Sequence, residues 1–222
     1  MPIINMVYKK KKGWKPWANT IAYYKFENNL NDSSGNGRDL SMYTWSFSFS
    51  TLSSWQPYCQ LNTSAEATFS NMPFSRTAYT ISGFCLWDST DNTYQKIILD
   101  LISWDNYFPR FYTWWGSNVN KISSVVSFDG YWDTFAANTR FHLVTVYDNN
   151  VVKSYINWIL IHSLTYSNAS TTWTLYLNWT SNYNANYRTN WKISELILEN
   201  KARSETEITK YLNSMKDIYW IS

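Results

Sequence analysis

The chain has 222 residues, 45% of them apolar and 19% aromatic against 16% charged, a composition that can bury a core and excludes an intrinsically disordered polymer. Its net charge of +3 is local: Lys9, Lys10, Lys11, Lys12 and Lys15 supply five positive charges and leave −2 for the remainder, so nucleic acid is not an expected partner. No stretch approaches the roughly 18 apolar residues of a membrane span, and residues 1–12 lack the apolar centre of a secretory signal.

Residues 1–18, MPIINMVYKKKKGWKPWA, hold no sustained period and include two prolines. They read as an extended basic arm, with Lys9, Lys10, Lys11, Lys12, Trp14 and Trp17 as its contacts to an assembly. From Asn19 the pattern changes to short runs rich in aromatic and β-branched residues: NTIAYYKFEN, AYTISGFCLW, QKIILDLIS, NYFPRFYTW, KISSVVSF, RFHLVTVYD, VVKSYIN, ILIHSLTY, TLYLN and KISELILE. Turn-forming clusters such as NDSSGNG, STDNT, DNN and SNYNAN separate them, which predicts an all-β, two-sheet antiparallel sandwich. In RFHLVTVYD, Phe141, Leu143, Thr145 and Tyr147 alternate with His142, Val144, Val146 and Asp148. Both sets carry apolar groups, as expected of a strand packed on two sides. One segment has helical period: in SETEITKYLNSMKDI, Ser204 and Glu207 form an S-x-x-E capping box, and Ile208, Tyr211, Leu212 and Met215 recur on one face. A helix over about 204–218 lying on the sheets follows. No repeat of 20 to 50 residues is present, so the expected organisation is one domain over 19–222 behind the arm.

Few residues suggest chemistry. Cys59 and Cys85 lack the spacing of a zinc site and read as small buried hydrophobes. His142 and His162 fall on separate strands and read as half-buried strand residues. No G-x-S-x-G, P-loop or G-x-G-x-x-G occurs. Asp32, Asp129 and Asp133 have the side chains of a rim calcium site but not its loop pattern, so no cofactor is expected.

Glycine and tryptophan are out of proportion. There are 6 Gly and 14 Trp, where average usage would give about 16 Gly in this length. Trp55, Trp104, Trp132, Trp158, Trp173, Trp179 and Trp191 all sit among Ser, Thr, Asn and Asp, where loops recruit glycine. Trp158 stands second in an apparent two-residue hairpin, SYINWILIH, at a position a type I′ turn normally gives to Gly. Three readings stand side by side. These codons are UGA, read as Trp in some genetic codes and Gly in others; or the indoles pack in the core and rim; or they stack on sugar rings.

Three stretches together resemble the laminin-G-like, concanavalin A-like lectin/glucanase superfamily. IAYYKFENNLNDSSGNGRDL (21–40) is similar to its opening strand and Asp-Ser-Ser-Gly-Asn turn, and AYTISGFCLW (78–87) to its central strand. RFHLVTVYDNNVVKSYINWILI (140–161) and WKISELILENKARSETEI (191–208) resemble its hairpin and closing strand. The resemblance spans about 19–218 and implies a jelly roll whose rim loops contact sugar or protein. The family pattern has Gly where this chain has Trp158 and Trp191, and Asp where it has Ser194. Its glucanase branch sets catalytic carboxylates two to four residues apart on one strand; ELILE supplies Glu195 and Glu199 but places Ile197 at the central position, so Glu195 reads as structural and no enzyme is expected.

The resulting expectation is a non-enzymatic virion protein of a bacterial virus, oligomeric or part of an assembly, docked on other virion or surface proteins by residues 1–18 and displaying a lectin-like domain as a decoration or fibre-like module. The alternative is a carbohydrate-binding or adhesion module of a cell surface, with Tyr112, Trp114, Trp115 and Tyr131 as the glycan platform.

Overall fold

A computed structural model of the chain describes residues 17–44, 47–51, 57–61, 66–86, 96–103, 106–113, 121–125, 133–134, 139–165, 173–177 and 192–219. In chain order the strands are β1 (Thr20–Tyr24), β2 (Ser41–Thr44), β3 (Ser48–Thr51), β4 (Pro57–Gln60), β5 (Glu66–Met72), β6 (Ala78–Leu86), β7 (Lys96–Ser103) and β8 (Asn106–Thr113). They continue as β9 (Lys121–Val125), β10 (Asp133–Thr134), β11 (Arg140–Asp148), β12 (Val151–Ile156), β13 (Ile159–Thr165), β14 (Trp173–Leu177) and β15 (Lys192–Glu199), followed by helix α1 (Glu205–Tyr219).

The strands form two antiparallel sheets. The first runs β13-β12-β11-β6-β15-β4-β3 with β1 also on β15, and the second runs β10-β9-β8-β7-β14-β5-β2. Strand β15 is shared along its length: Lys192 and Ile193 pair with β4, Leu196 to Glu199 pair with β1, and the opposite edge follows β6. Period-two alternation places Phe141, Leu143 and Tyr147 of β11, Ile81 and Cys85 of β6, and Leu196 and Leu198 of β15 in one core with Trp173, Leu175 and Leu177 of β14. Each fully buried side chain of this kind contributes about 1.5–3 kcal/mol, which is what closes the sandwich. Trp173 therefore departs from the loop position its Thr-rich context suggested. It begins the inward set of β14 and is 1% exposed.

The other face of β11 is buried as well. Val144, Val146 and Tyr155 pack with Ile208 of the helix, while Tyr23, Phe84 and Ile197 pack with Tyr211 and Leu212. The two-sided apolar pattern of this strand thus has two causes, a facing sheet inside and a helix outside. The helix begins as its sequence predicts: the Glu207 amide donates to Ser204 Oγ at 3.3 Å, and the Ser204 amide donates to Glu207 Oε2 at 3.0 Å. The two residues satisfy each other's orphan donors.

A bulge sets the phase of β15. Ile193 pairs with Cys85 and Glu195 with Phe84, leaving Ser194 as the extra residue. Beyond it Leu196 and Leu198 face the sandwich core while Ile197 packs towards the helix. Gly83 on the central strand β6 accommodates this, since a Cβ there would lie 3.0 Å from the Glu195 carbonyl oxygen.

Candidate functional site

Three strand ends meet at one margin of the second sheet. Thr113 pairs with Ile122, which pairs in turn with Asp133. Tyr112 pairs with Ser123 on one side and Ile97 on the other. Of the expected glycan platform, Tyr112 therefore lies within β8, whereas Trp114, Trp115 and Tyr131 fall outside the described residues. In the chain, Trp114 and Trp115 directly follow Thr113, and Tyr131 precedes Asp133 by two positions. The register itself joins only described residues: Thr113 to Ile122 and Ile122 to Asp133.

The sequence left a second cluster unread, on the helix-covered face of the first sheet. Glu195 is 2% exposed and accepts a hydrogen bond from the Tyr211 hydroxyl at 2.9 Å. The Tyr23 hydroxyl bonds the same carboxylate, and burial, reinforced by the Glu195 charge, pushes its pKa far above the usual phenol value. Glu199 is ion-paired with Arg203, whose Nη2 donates to Glu199 Oε1 at 2.6 Å. Burial raises the Glu199 pKa despite the opposing pull of that guanidinium. Arg203 also lies over the Trp17 ring, 3.2 Å from its centroid, and Trp17 meets Tyr211 edge-on at 5.3 Å. His142, 1% exposed rather than half-buried, stacks on Phe84 with centroids 4.4 Å apart. Neither of its ring nitrogens has a hydrogen-bond partner among the described residues.

This arrangement fastens the helix and Trp17 to the sheet. Both carboxylates of ELILE are sealed against protein groups, and neither has room for a sugar ring beside it. Glycosidic chemistry needs two carboxyls flanking the bond, about 5–9.5 Å apart. The signal in the sequence was the alternation of Glu195, Ile197 and Glu199, which only a covered outer face explains.

Asp32 is equally committed. Its Oδ1 accepts from the amides of Tyr23 and Ser34 at 2.9 and 2.8 Å, and its Oδ2 accepts from Ser34 Oγ and the Arg38 amide at 2.8 and 3.1 Å. A carboxylate holding four donors organises the DSSGNGR turn and does not present oxygens to a cation. Among the described residues no group of three or more His, Cys, Asp or Glu could hold a metal. Asp129 lies outside those residues.

Cys59 and Cys85 are buried free thiols, their pKa values raised by burial. Trp17 rests on the domain itself, so the arm's last aromatic residue is engaged within the chain. Lys9, Lys10, Lys11, Lys12 and Trp14 lie outside the described residues, as do Trp55, Trp104, Trp132, Trp179 and Trp191. No helix among the described residues is long and apolar enough to cross a membrane.

No family model matches the chain, and no curated protein matches it by sequence. Similar folds do occur among solved structures. Domain 4 of AbnA, a GH43 extracellular arabinanase from Geobacillus stearothermophilus solved with arabinotriose, superposes with a TM-score of 0.66 at 19% identity, covering 86% of this chain and 97% of that one. The botulinum neurotoxin serotype D binding domain gives 0.67 at 13% identity over 88% of this chain and 52% of that one. Botulinum neurotoxin type C, whose cell entry depends upon interaction with two ganglioside molecules, gives 0.64 at 16% identity over 89% and 51%. The chain spans about half the length of these toxin chains. The likeness is one of fold, a two-sheet antiparallel β-sandwich.

Proposed function

We propose that this chain is a non-catalytic carbohydrate-binding module whose glycan site is the margin of the second sheet at Tyr112, with Trp114, Trp115 and Tyr131, singled out by the sequence, as its other aromatic residues. The observation that carries this reading is the match, over nearly its whole length, to an arabinanase domain solved with arabinotriose. Strand ends at a sandwich rim suit the task, because aromatic rings there bury the apolar faces of sugars without disturbing the core. The assignment to a laminin-G-like or concanavalin A-like jelly roll rests on the sequence motifs.

Titration of the full chain against arabino-oligosaccharides and ganglioside headgroup glycans tests the proposal. Saturable binding that falls at least tenfold in Tyr112→Ala supports it. No binding across a broad glycan array, or binding indifferent to Tyr112 and Tyr131, overturns it. Incubation with the same glycans is expected to release no hydrolysis products; hydrolysis abolished by Glu195→Gln would refute the non-catalytic part.

The setting we propose is display on an assembly, a virion of a bacterial virus first and a cell surface second. The four-lysine run ahead of a binding domain supports it. Removing residues 1–16 is expected to release the protein from its assembly with glycan affinity intact; retention on the assembly would count against the arm.

A further inference from the structure

We infer that residue 158 is glycine in the protein as its own cell makes it, specified by a UGA codon that this cell translates as glycine rather than tryptophan. The first support is backbone geometry. Ile156 pairs with Ile159, so Asn157 and Trp158 alone connect β12 to β13, with φ of 48° and 68°. Both central residues are left-handed, as a type I′ turn requires, and the second is the position where glycine avoids the clash between Cβ and the following carbonyl.

The neighbouring hairpin provides an internal comparison. Asp148 pairs with Val151, and Asn149 and Asn150 connect β11 to β12 with φ of 45° and 70°. The two turns have nearly the same geometry. The first uses Asn twice, the residue that tolerates this region best after glycine, and the second places an indole there.

The remaining left-handed residues sharpen the contrast. Apart from Asn28, Asn71, Asn149, Asn150 and Asn157, only Phe26 and Trp158 among the described non-glycine residues have positive φ. Phe26 is 1% exposed and stacks with Tyr24, so core burial offsets its strain. Trp158 is 41% exposed, and among the described residues it has neither a hydrogen bond nor a ring partner. Nothing there compensates for a strained, bulky side chain.

Trp173 marks the limit of the inference. It is extended, in strand, and 1% exposed among core residues, so it is assigned to true tryptophan and a UGG codon. The chain's shortage of glycine and surplus of tryptophan is then the trace of a gene read with the wrong meaning for one codon.

Three measurements test this. The codon for residue 158 is expected to be UGA, and UGG overturns the inference. Fragmentation mass spectrometry of the peptide spanning Ser154 to Arg188, from protein purified out of its own cells, is expected to show glycine mass at 158; indole mass there overturns it. Recombinant Trp158→Gly is expected to melt about 2–4 °C higher than the Trp158 chain. An unchanged or lower Tm refutes the geometric argument, with Trp173→Gly as the control expected to lose its cooperative transition. None of these readouts depends on sugar binding.

Discussion

The His142 imidazole, stacked on Phe84 and tilted against Tyr211 with neither nitrogen hydrogen-bonded among the described residues, is a pH-sensitive element of stability. Burial, aided by the Arg203 charge, lowers the His142 pKa from 6.5 to about 3. Between those values the unfolded chain takes up a proton that the folded chain refuses, so stability falls as pH falls through that window, by up to roughly 1.4 kcal/mol per unit from this residue. His142→Phe keeps the stacking area and removes the proton. Urea denaturation at several pH values is expected to show a shallower acid slope for the variant, with stability at pH 7 equal or higher. Glu195, Glu199, Tyr23, Tyr211 and Arg203 remain in both proteins, and Glu199, whose raised pKa works in the opposite sense, cancels in the difference. An identical slope would show that His142 is protonated in the fold. Gly83 is the other sensitive residue. Alanine there must push the Glu195 carbonyl away from its 3.0 Å approach, and a loss of about 1–3 kcal/mol in chemical denaturation is expected.

At the scale of elements, the strands that carry long apolar alternation were legible: RFHLVTVYD, VVKSYI and KISELILE each become strands at nearly the expected residues. The short β2, β3, β4 and β5 were not, for a physical reason. Strands β2 and β3 close the ends of their sheets, and SFST has a largely exposed pattern, so no hydrophobic period is required of it. EATFSNM buries its two ends and exposes its middle, which blurs the alternation. The helix was legible from its cap. Ser204→Ala removes the acceptor for the Glu207 amide and is expected to cost about 1 kcal/mol, a fall of about 2–4 °C in Tm. An unchanged Tm would mean that packing of Tyr211 and Leu212 alone fixes where the helix starts. Of the candidate glycan margin, Tyr112 was recognisable as an aromatic strand residue, but its pairing with Ser123 and Ile97 depends on register between strands, which no residue type announces.

At the scale of the whole molecule, the sandwich carries a helix that shields the outer face of its first sheet. A chain ending at residue 203 leaves Phe84, Val144, Val146, Tyr155 and Ile197 uncovered. It is expected to bind a hydrophobic dye and self-associate in sedimentation, since an apolar patch of this kind rarely persists on a monomer. A monodisperse, dye-silent truncation would show that the helix is dispensable. The sharing of β15 has a further consequence, for the order of synthesis. Thr20 finds its partner in Glu199, so the ladder of β1 is completed by a strand made much later in the chain. At translation speeds of about 5–20 residues per second, β1 waits roughly 10–40 seconds without its ladder. Both β4 and β6 have one edge paired earlier, by β3 and β11, and the other closed by the same β15. Until β15 is made, the local structure open to β1 is the polar DSSGNGR turn that follows it, in which Asp32 accepts from the Tyr23 amide.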